Sequence, residues 1–143
     1  MIKRNQLGVV NNVYQGKTKK VLTVCSAGCL RSPTAAHLLS SDPWNFNTRC
    51  AGLNEEYAII PVTDALVIWA DVILVMDSDQ QSQINKMQIR IADEFDQMFE
   101  YDYKQVINLN IEDDYAYRDP KLVQIMVDKF LVIFKDDFKV NTL

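Results

Sequence analysis

The chain predicts an α/β fold in which a central parallel sheet of four strands carries helices on both faces. Three observations carry this. Short β-prone runs alternate with longer segments of helical period, the pattern of successive βα units. Val72-Ile73-Leu74-Val75-Met76 is apolar at every position, as a strand buried on both faces requires. Helix-start signals stand where the helical segments begin: Ser32-Pro33, Pro61 with Thr63, Asp77-Ser78-Asp79 and Asp119-Pro120.

In chain order, Lys20 to Val24 is the first strand, and Ser32 to Leu39 supplies the first turns of a helix. Asp42-Pro43 marks a turn, and Asn45 to Ala51 is a second strand feeding Gly52. Pro61 and Thr63 open a helix to Trp69, which leads to the apolar third strand. A helix capped within Asp77-Ser78-Asp79 runs through Gln83, Ile84 and Met87, and Lys104 to Leu109 is the fourth strand. Pro120 starts a last helix with Leu122, Val123, Met126, Phe130, Val132 and Ile133 on a broad apolar face. The expected arrangement is a three-layer, flavodoxin-like fold with a four-stranded parallel sheet of order 2-1-3-4 and helices on both faces. Ligands of such sheets bind beyond the carboxyl ends of the strands. Cys25 follows strand one and Asp113 follows strand four, so the topology brings both to one edge.

Composition narrows the function. A chain of 143 residues is read as one domain, 1–143, with a polar arm at 1–19 that includes a short strand at Leu7 to Val10. A net charge of −4 and a pI near 4.9 argue against nucleic acid as a partner. No stretch has the length of a membrane span, and the first residues lack the apolar core of a secretion signal. The expectation is a cytoplasmic protein without a membrane partner. Cys25, Cys29 and Cys50 form no C-x-x-C pair, and His37 is the single histidine, so neither a metal site nor a cofactor is expected. His37 reads as a helical surface or packing residue. Asp71 and Asp77 read as caps and braces of strand ends, Arg49 and Cys50 as scaffold.

The segment Val24-Cys25-Ser26-Ala27-Gly28-Cys29-Leu30-Arg31-Ser32-Pro33 carries the chemistry. Between a strand and a helix the chain must turn sharply, and Ser26, Ala27 and Gly28 are small enough to allow it. Gly28 can take the positive φ that a tight loop around an anion requires. Backbone N–H groups of Ser26, Ala27, Gly28, Cys29 and Leu30 would then point inward at the positive end of a helix dipole. Thiols there ionise at roughly 3.5–7.5 instead of near ~8.5, so Cys25 is expected to be a thiolate nucleophile. Arg31 offers a planar fork that matches two phosphoryl oxygens. Ser32 can donate a hydrogen bond to the Cys25 sulfur, steadying the thiolate as nucleophile and as leaving group. Expulsion of an alkoxide or phenoxide needs a proton, and Glu112-Asp113-Asp114 after the fourth strand offers three carboxylates.

The motif Val-Cys-x5-Arg-Ser-Pro-Thr-Ala resembles that of the low-molecular-weight protein tyrosine phosphatases, and more closely a short bacterial and phage-type branch of them. Arg49-Cys50-Ala51-Gly52-Leu53, Trp69 to Asp77 and Ile111-Glu112-Asp113-Asp114-Tyr115 are similar to further blocks of that family, in the same order. The resemblance implies a phosphomonoesterase acting through a phosphocysteine intermediate on a phosphotyrosine protein or a small aryl phosphate. It also implies that Asp113 is the general acid and base, with Asp114 at the proline position of the family's Asp-Pro-Tyr-Tyr motif and Tyr115 at its first tyrosine. Without that proline, Asp114 remains the alternative acid. Asp119-Pro120 matches Asp-Pro literally but reads as a helix cap. Tyr115 and Tyr117 either wall the entrance, stacking on an aromatic leaving group, or pack half-buried.

Two departures matter. Gly28 stands where the family often has a loop-bracing Asn, which implies slow turnover. Cys29 lies one position earlier than the family's second loop cysteine; a reversible Cys25–Cys29 disulfide under peroxide is the corresponding expectation. An arsenate reductase-like oxyanion enzyme uses the same loop and stays an alternative, weakened because no cysteine follows Cys50. So does a low-activity module that binds phosphate or a phosphoprotein. A phosphocarrier is disfavoured by Arg31 and the acidic loop.

Overall fold

The computed structural model describes residues 19–26, 31–54, 58, 60–112 and 119–135. Their elements are β1 (Lys20–Cys25), α1 (Arg31–Leu39), β2 (Asn47–Gly52), α2 (Asp64–Trp69), β3 (Val72–Val75), α3 (Ser78–Glu94), β4 (Gln105–Asn108) and α4 (Pro120–Ile133). The strands lie in the order β2-β1-β3-β4, and each neighbouring pair is parallel. Leu22 stands opposite Arg49 on one side and Ile73 on the other, and Ile73 opposite Val106. The expected flavodoxin-like sheet is therefore observed.

Side chains alternate across the sheet with period two, which divides the core between its faces. Val21, Cys25 and Leu74 pack with Ala35 and Leu39 of α1 and with Leu122, Met126 and Phe130 of α4. Leu22, Val24, Ile73 and Val75 pack on the other face with Val67 of α2 and with Ile84 and Ile91 of α3. Trp44 meets Phe130 edge to face at 5.9 Å, and Phe46 meets Phe134 at 5.2 Å, geometries that suit the ring quadrupoles. No helix among the described residues is long and apolar enough to cross a membrane.

Some expected boundaries move, each for a hydrogen-bonding reason. Pro61 does not open α2; it forms an isolated parallel bridge with Gly52. The flanking groups make the pairing: Gly52 N–H donates to Ile60 O, and Val62 N–H donates to Gly52 O, both at 2.9 Å. Only at Thr63 does the chain turn, its hydroxyl accepting from Leu66 N–H to cap the helix. β2 starts at Asn47, after Asn45 takes a left-handed φ of 53°. β3 stops at Val75 because the Met76 N–H donates to the Gln80 side chain. Val132, placed on the apolar face of the last helix from its period, is 71% exposed. The arm's short strand, Leu7 to Val10, lies outside the described residues.

Candidate active site

Cys25 is the last residue of β1, only 3% exposed, and its Sγ lies 3.2 Å from Ser32 Oγ. Arg31 and Ser32 are the first two residues of α1, so hydroxyl and guanidinium project from the helix's positive end. Pro33 fits there without cost, since first-turn N–H groups have no intrahelical partner. Thr23 fixes the helix to the strand: its hydroxyl donates to Ser32 O at 2.8 Å and contacts Arg49 O at 3.3 Å. Thr48 adds a second tie, donating to Ala36 O at 2.9 Å.

The exits of the other strands close around this corner. Leu53 N–H donates to Cys25 O at 2.9 Å, and Asn54 N–H to Ser26 O at 2.7 Å. Ser26 Oγ accepts from the side-chain amide of Gln80 at 3.3 Å, while Gln80 Oε1 accepts from Met76 N–H at 2.7 Å. Gln80 itself is fully buried near the start of α3, where Asp77 caps the helix by accepting from Gln80 N–H.

Arg31, 4% exposed, donates from Nη1 to Ile111 O at 2.7 Å, across 80 positions of sequence. The segment after β4 reaches it through two backbone bonds, Leu109 N–H to Val75 O and Ile111 N–H to Met76 O. Between them Asn110 adopts φ 55°, a left-handed conformation that Asn tolerates better than most residues. The Asn108 side chain accepts from Asn110 N–H at 2.8 Å and sets that turn. The expected meeting of the segments that follow strands one and four is thus seen at Arg31 and Ile111, with exposed Glu112 next in the chain. Ala27, Gly28, Cys29, Leu30, Asp113, Asp114, Tyr115 and Tyr117 lie outside the described residues.

The remaining candidates have structural positions. Burial, and after it negative charge at Cys25, pushes the Cys50 thiol up from 9.0 to about 12, so Cys50 stays protonated at neutral pH. Arg49 lies over the Trp69 ring at 4.9 Å and donates to Asn47 Oδ1 and Thr48 O. Asp71 accepts from Lys20 N–H at 2.9 Å, bracing the start of β1. Asp119 caps α4 by accepting from Lys121 N–H, with Pro120 as first helical residue. His37 is half-buried within α1. Among the described residues no three His, Cys, Asp or Glu side chains gather as metal ligands.

Sequence reasoning missed Thr23, Gln80, Asn110 and the Ile111 carbonyl. Gln80 had a signal: with Ile84, Gln88 and Ile91 it falls on the inward stripe of α3, where a polar residue needs a buried partner. A backbone carbonyl leaves no trace in the choice of side chain. Chemically, the corner combines a buried sulfur, a hydroxyl beside it and a guanidinium at a helix start, a setting able to hold an oxyanion against a nucleophile.

Fold and corner together define a flavodoxin-like α/β protein with a cysteine and an arginine at the carboxyl edge of its sheet. No protein-family model matches the sequence, and no curated protein matches it either. Among solved structures, the chain is similar to a mutant of YwlE from Bacillus subtilis, with 18% identity and a TM-score of 0.56 over 86% of this chain and 99% of that one. It is also similar to the YwlE arginine phosphatase from Geobacillus stearothermophilus, with 16% identity and a TM-score of 0.57 over 87% and 94% of the two chains. At these identities the likeness shows a shared fold.

Proposed function

We propose that the protein is a cysteine-dependent phosphatase that works through a phosphocysteine intermediate. The observation that carries this reading is Cys25 Sγ at 3.2 Å from Ser32 Oγ at the end of β1, with Arg31 next to Ser32 and bound to Ile111 O. Binding alone would need neither the sulfur nor the hydroxyl beside it.

In this mechanism the Cys25 thiolate attacks phosphorus in line with the leaving oxygen, forming the S–P bond as the P–O bond breaks. Arg31 holds two non-bridging oxygens through its planar fork, the Ile111 bond fixing the plane's orientation. N–H groups of the loop from Ser26 to Leu30 take the remaining charge. Asp113, or Asp114 in its place, protonates the leaving oxygen and then, as a carboxylate, takes a proton from the water that attacks the phosphocysteine. Ser32 donates to the sulfur as it departs. The substrate we favour is phosphotyrosine in a protein, or a small aryl phosphate, with Tyr115 flanking the leaving group. A phosphoarginine substrate is the second reading, favoured by the arginine phosphatase among the similar structures.

The test is hydrolysis of p-nitrophenyl phosphate in reductant and EDTA by wild type and Cys25→Ser. Turnover that needs no metal and is lost in the variant is the expected result. A folded, reduced wild type that binds vanadate without turnover would replace the phosphatase by a reductase or a binding module. Asp113→Asn and Asp114→Asn then assign the acid, and peptides bearing phosphotyrosine or phosphoarginine decide the substrate.

A further inference from the structure

Beside the corner, Leu53 and Val62 from the exit of β2 face Gln83, Lys86, Met87 and Arg90 of α3 across a groove of about 410 Å³. One of its lining residues, Leu53, is tied directly to the corner that holds Cys25. Leu53 N–H bonds to Cys25 O, and Gln80, one turn before Gln83, bonds to Ser26. Its floor is apolar, from half-buried Leu53, Val62 and Met87, and its rim carries two cations.

The two cations are not equivalent. Arg90 is already committed, binding both oxygens of Asp64 at 2.5 and 3.2 Å and Glu94 at 3.1 Å, which ties α3 to the start of α2. Lys86 is exposed, and among the described residues no carboxylate lies within ion-pair distance of it. An exposed cation beside an apolar floor is complementary to a segment that carries an acidic and an apolar side chain close together. Lys86 is six positions beyond Gln80, about 9 Å along the helix at 1.5 Å per residue. An extended peptide covers that distance in roughly three residues.

We propose that this groove seats the substrate chain flanking the phosphorylated residue, with an acidic side chain about three residues away meeting Lys86. An apolar side chain of the same segment rests on Leu53, Val62 and Met87. The inference rests on the phosphatase reading and deepens it: the preferred substrate is an acidic phosphoprotein segment, not an isolated phosphate ester.

The experiment compares phosphopeptides with Glu or Lys three residues to either side of the phosphorylated position. In wild type the ratio of kcat/KM on a Glu peptide to that on p-nitrophenyl phosphate exceeds the ratio for the Lys peptide. In Lys86→Glu that preference falls about tenfold, the scale of losing one exposed ion pair and gaining one repulsion. Raising salt from 0.05 to 0.5 M should erode the wild-type preference, since an exposed pair is screened. A preference untouched by Lys86→Glu and by salt would overturn the proposal. Binding of the same peptides to Cys25→Ser, with and without Lys86→Glu, reads the groove without turnover. Equal affinity for Glu and Lys peptides there, or no binding of either, overturns the groove on its own. Absence of p-nitrophenyl phosphate hydrolysis in wild type would count against the phosphatase reading alone.

Discussion

Ser32 and Cys50 both lie near Cys25, with opposite consequences for sulfur chemistry. Ser32 Oγ, 3.2 Å from Cys25 Sγ, can donate to the thiolate; Ser32→Ala removes that donor from a buried pair. A hydrogen bond to a charged group contributes about 1.5–3 kcal/mol, so losing it from the departing sulfur should lower turnover roughly ten- to a hundredfold. The readout is kcat on p-nitrophenyl phosphate for wild type and Ser32→Ala at one pH, with circular dichroism confirming that the variant is folded. Cys50 is the reverse case, a thiol kept protonated by burial up to about 12. Unfolding returns it to its ordinary value, so above about pH 9 the unfolded chain sheds a proton that the folded chain keeps. Its contribution to stability is whole below pH 9 and is lost towards 12, at up to about 1.4 kcal/mol per pH unit. Urea unfolding at pH 8, 9 and 10 checks this: Cys50→Ala should fall less steeply across that range than wild type.

At the scale of elements, α3 is a helix whose buried stripe carries two glutamines with different duties. Gln80 bonds Met76 N–H and Ser26 Oγ at the carboxyl edge of the sheet. Gln88 takes Lys104 N–H and the Tyr101 hydroxyl and donates to Lys104 O, fastening the approach to β4. Replacing either by leucine strands an N–H, buried at Met76 and part-buried at Lys104, which costs up to about 1–3 kcal/mol. Both variants should therefore unfold at lower denaturant. Activity per folded molecule should drop only in Gln80→Leu, which releases the Ser26 hydroxyl, and Gln88→Leu should keep it. Helix period made the stripe legible in the sequence, and the caps at Asp77 and Asp119 were legible from residue type. What the glutamines hold was not legible, because their partners lie up to 54 positions away in the chain. Pro61 shows the same limit: as a helix opener it is locally reasonable, but pairing of its neighbours with Gly52 overrides that preference.

For the whole molecule, the sheet is held between two helical layers, and the layer made by α1 and α4 also backs the corner containing Cys25. Phe130 is fully buried there and meets the Trp44 ring. Phe130→Ala should cost about 3–5 kcal/mol, the range for emptying a phenyl site in a packed core. Chemical denaturation checks it; the midpoint should fall with little change in the slope of the transition.

The sequence by itself determined the alternation of strands and helices, the buried character of β3, and the placing of Cys25 at a strand end and of Ser32 at a helix start. These follow from local physics: side-chain period, cap chemistry and the fit of proline to a first helical turn. Only the tertiary structure decided that the Arg31 guanidinium is anchored by the Ile111 carbonyl, that Gln80 braces Ser26, and that Lys86 stands beside a groove. Each of these depends on where distant backbone groups come to rest once the parallel strands are in register. Buried polar groups must find partners wherever the fold brings them, and no local pattern encodes that choice.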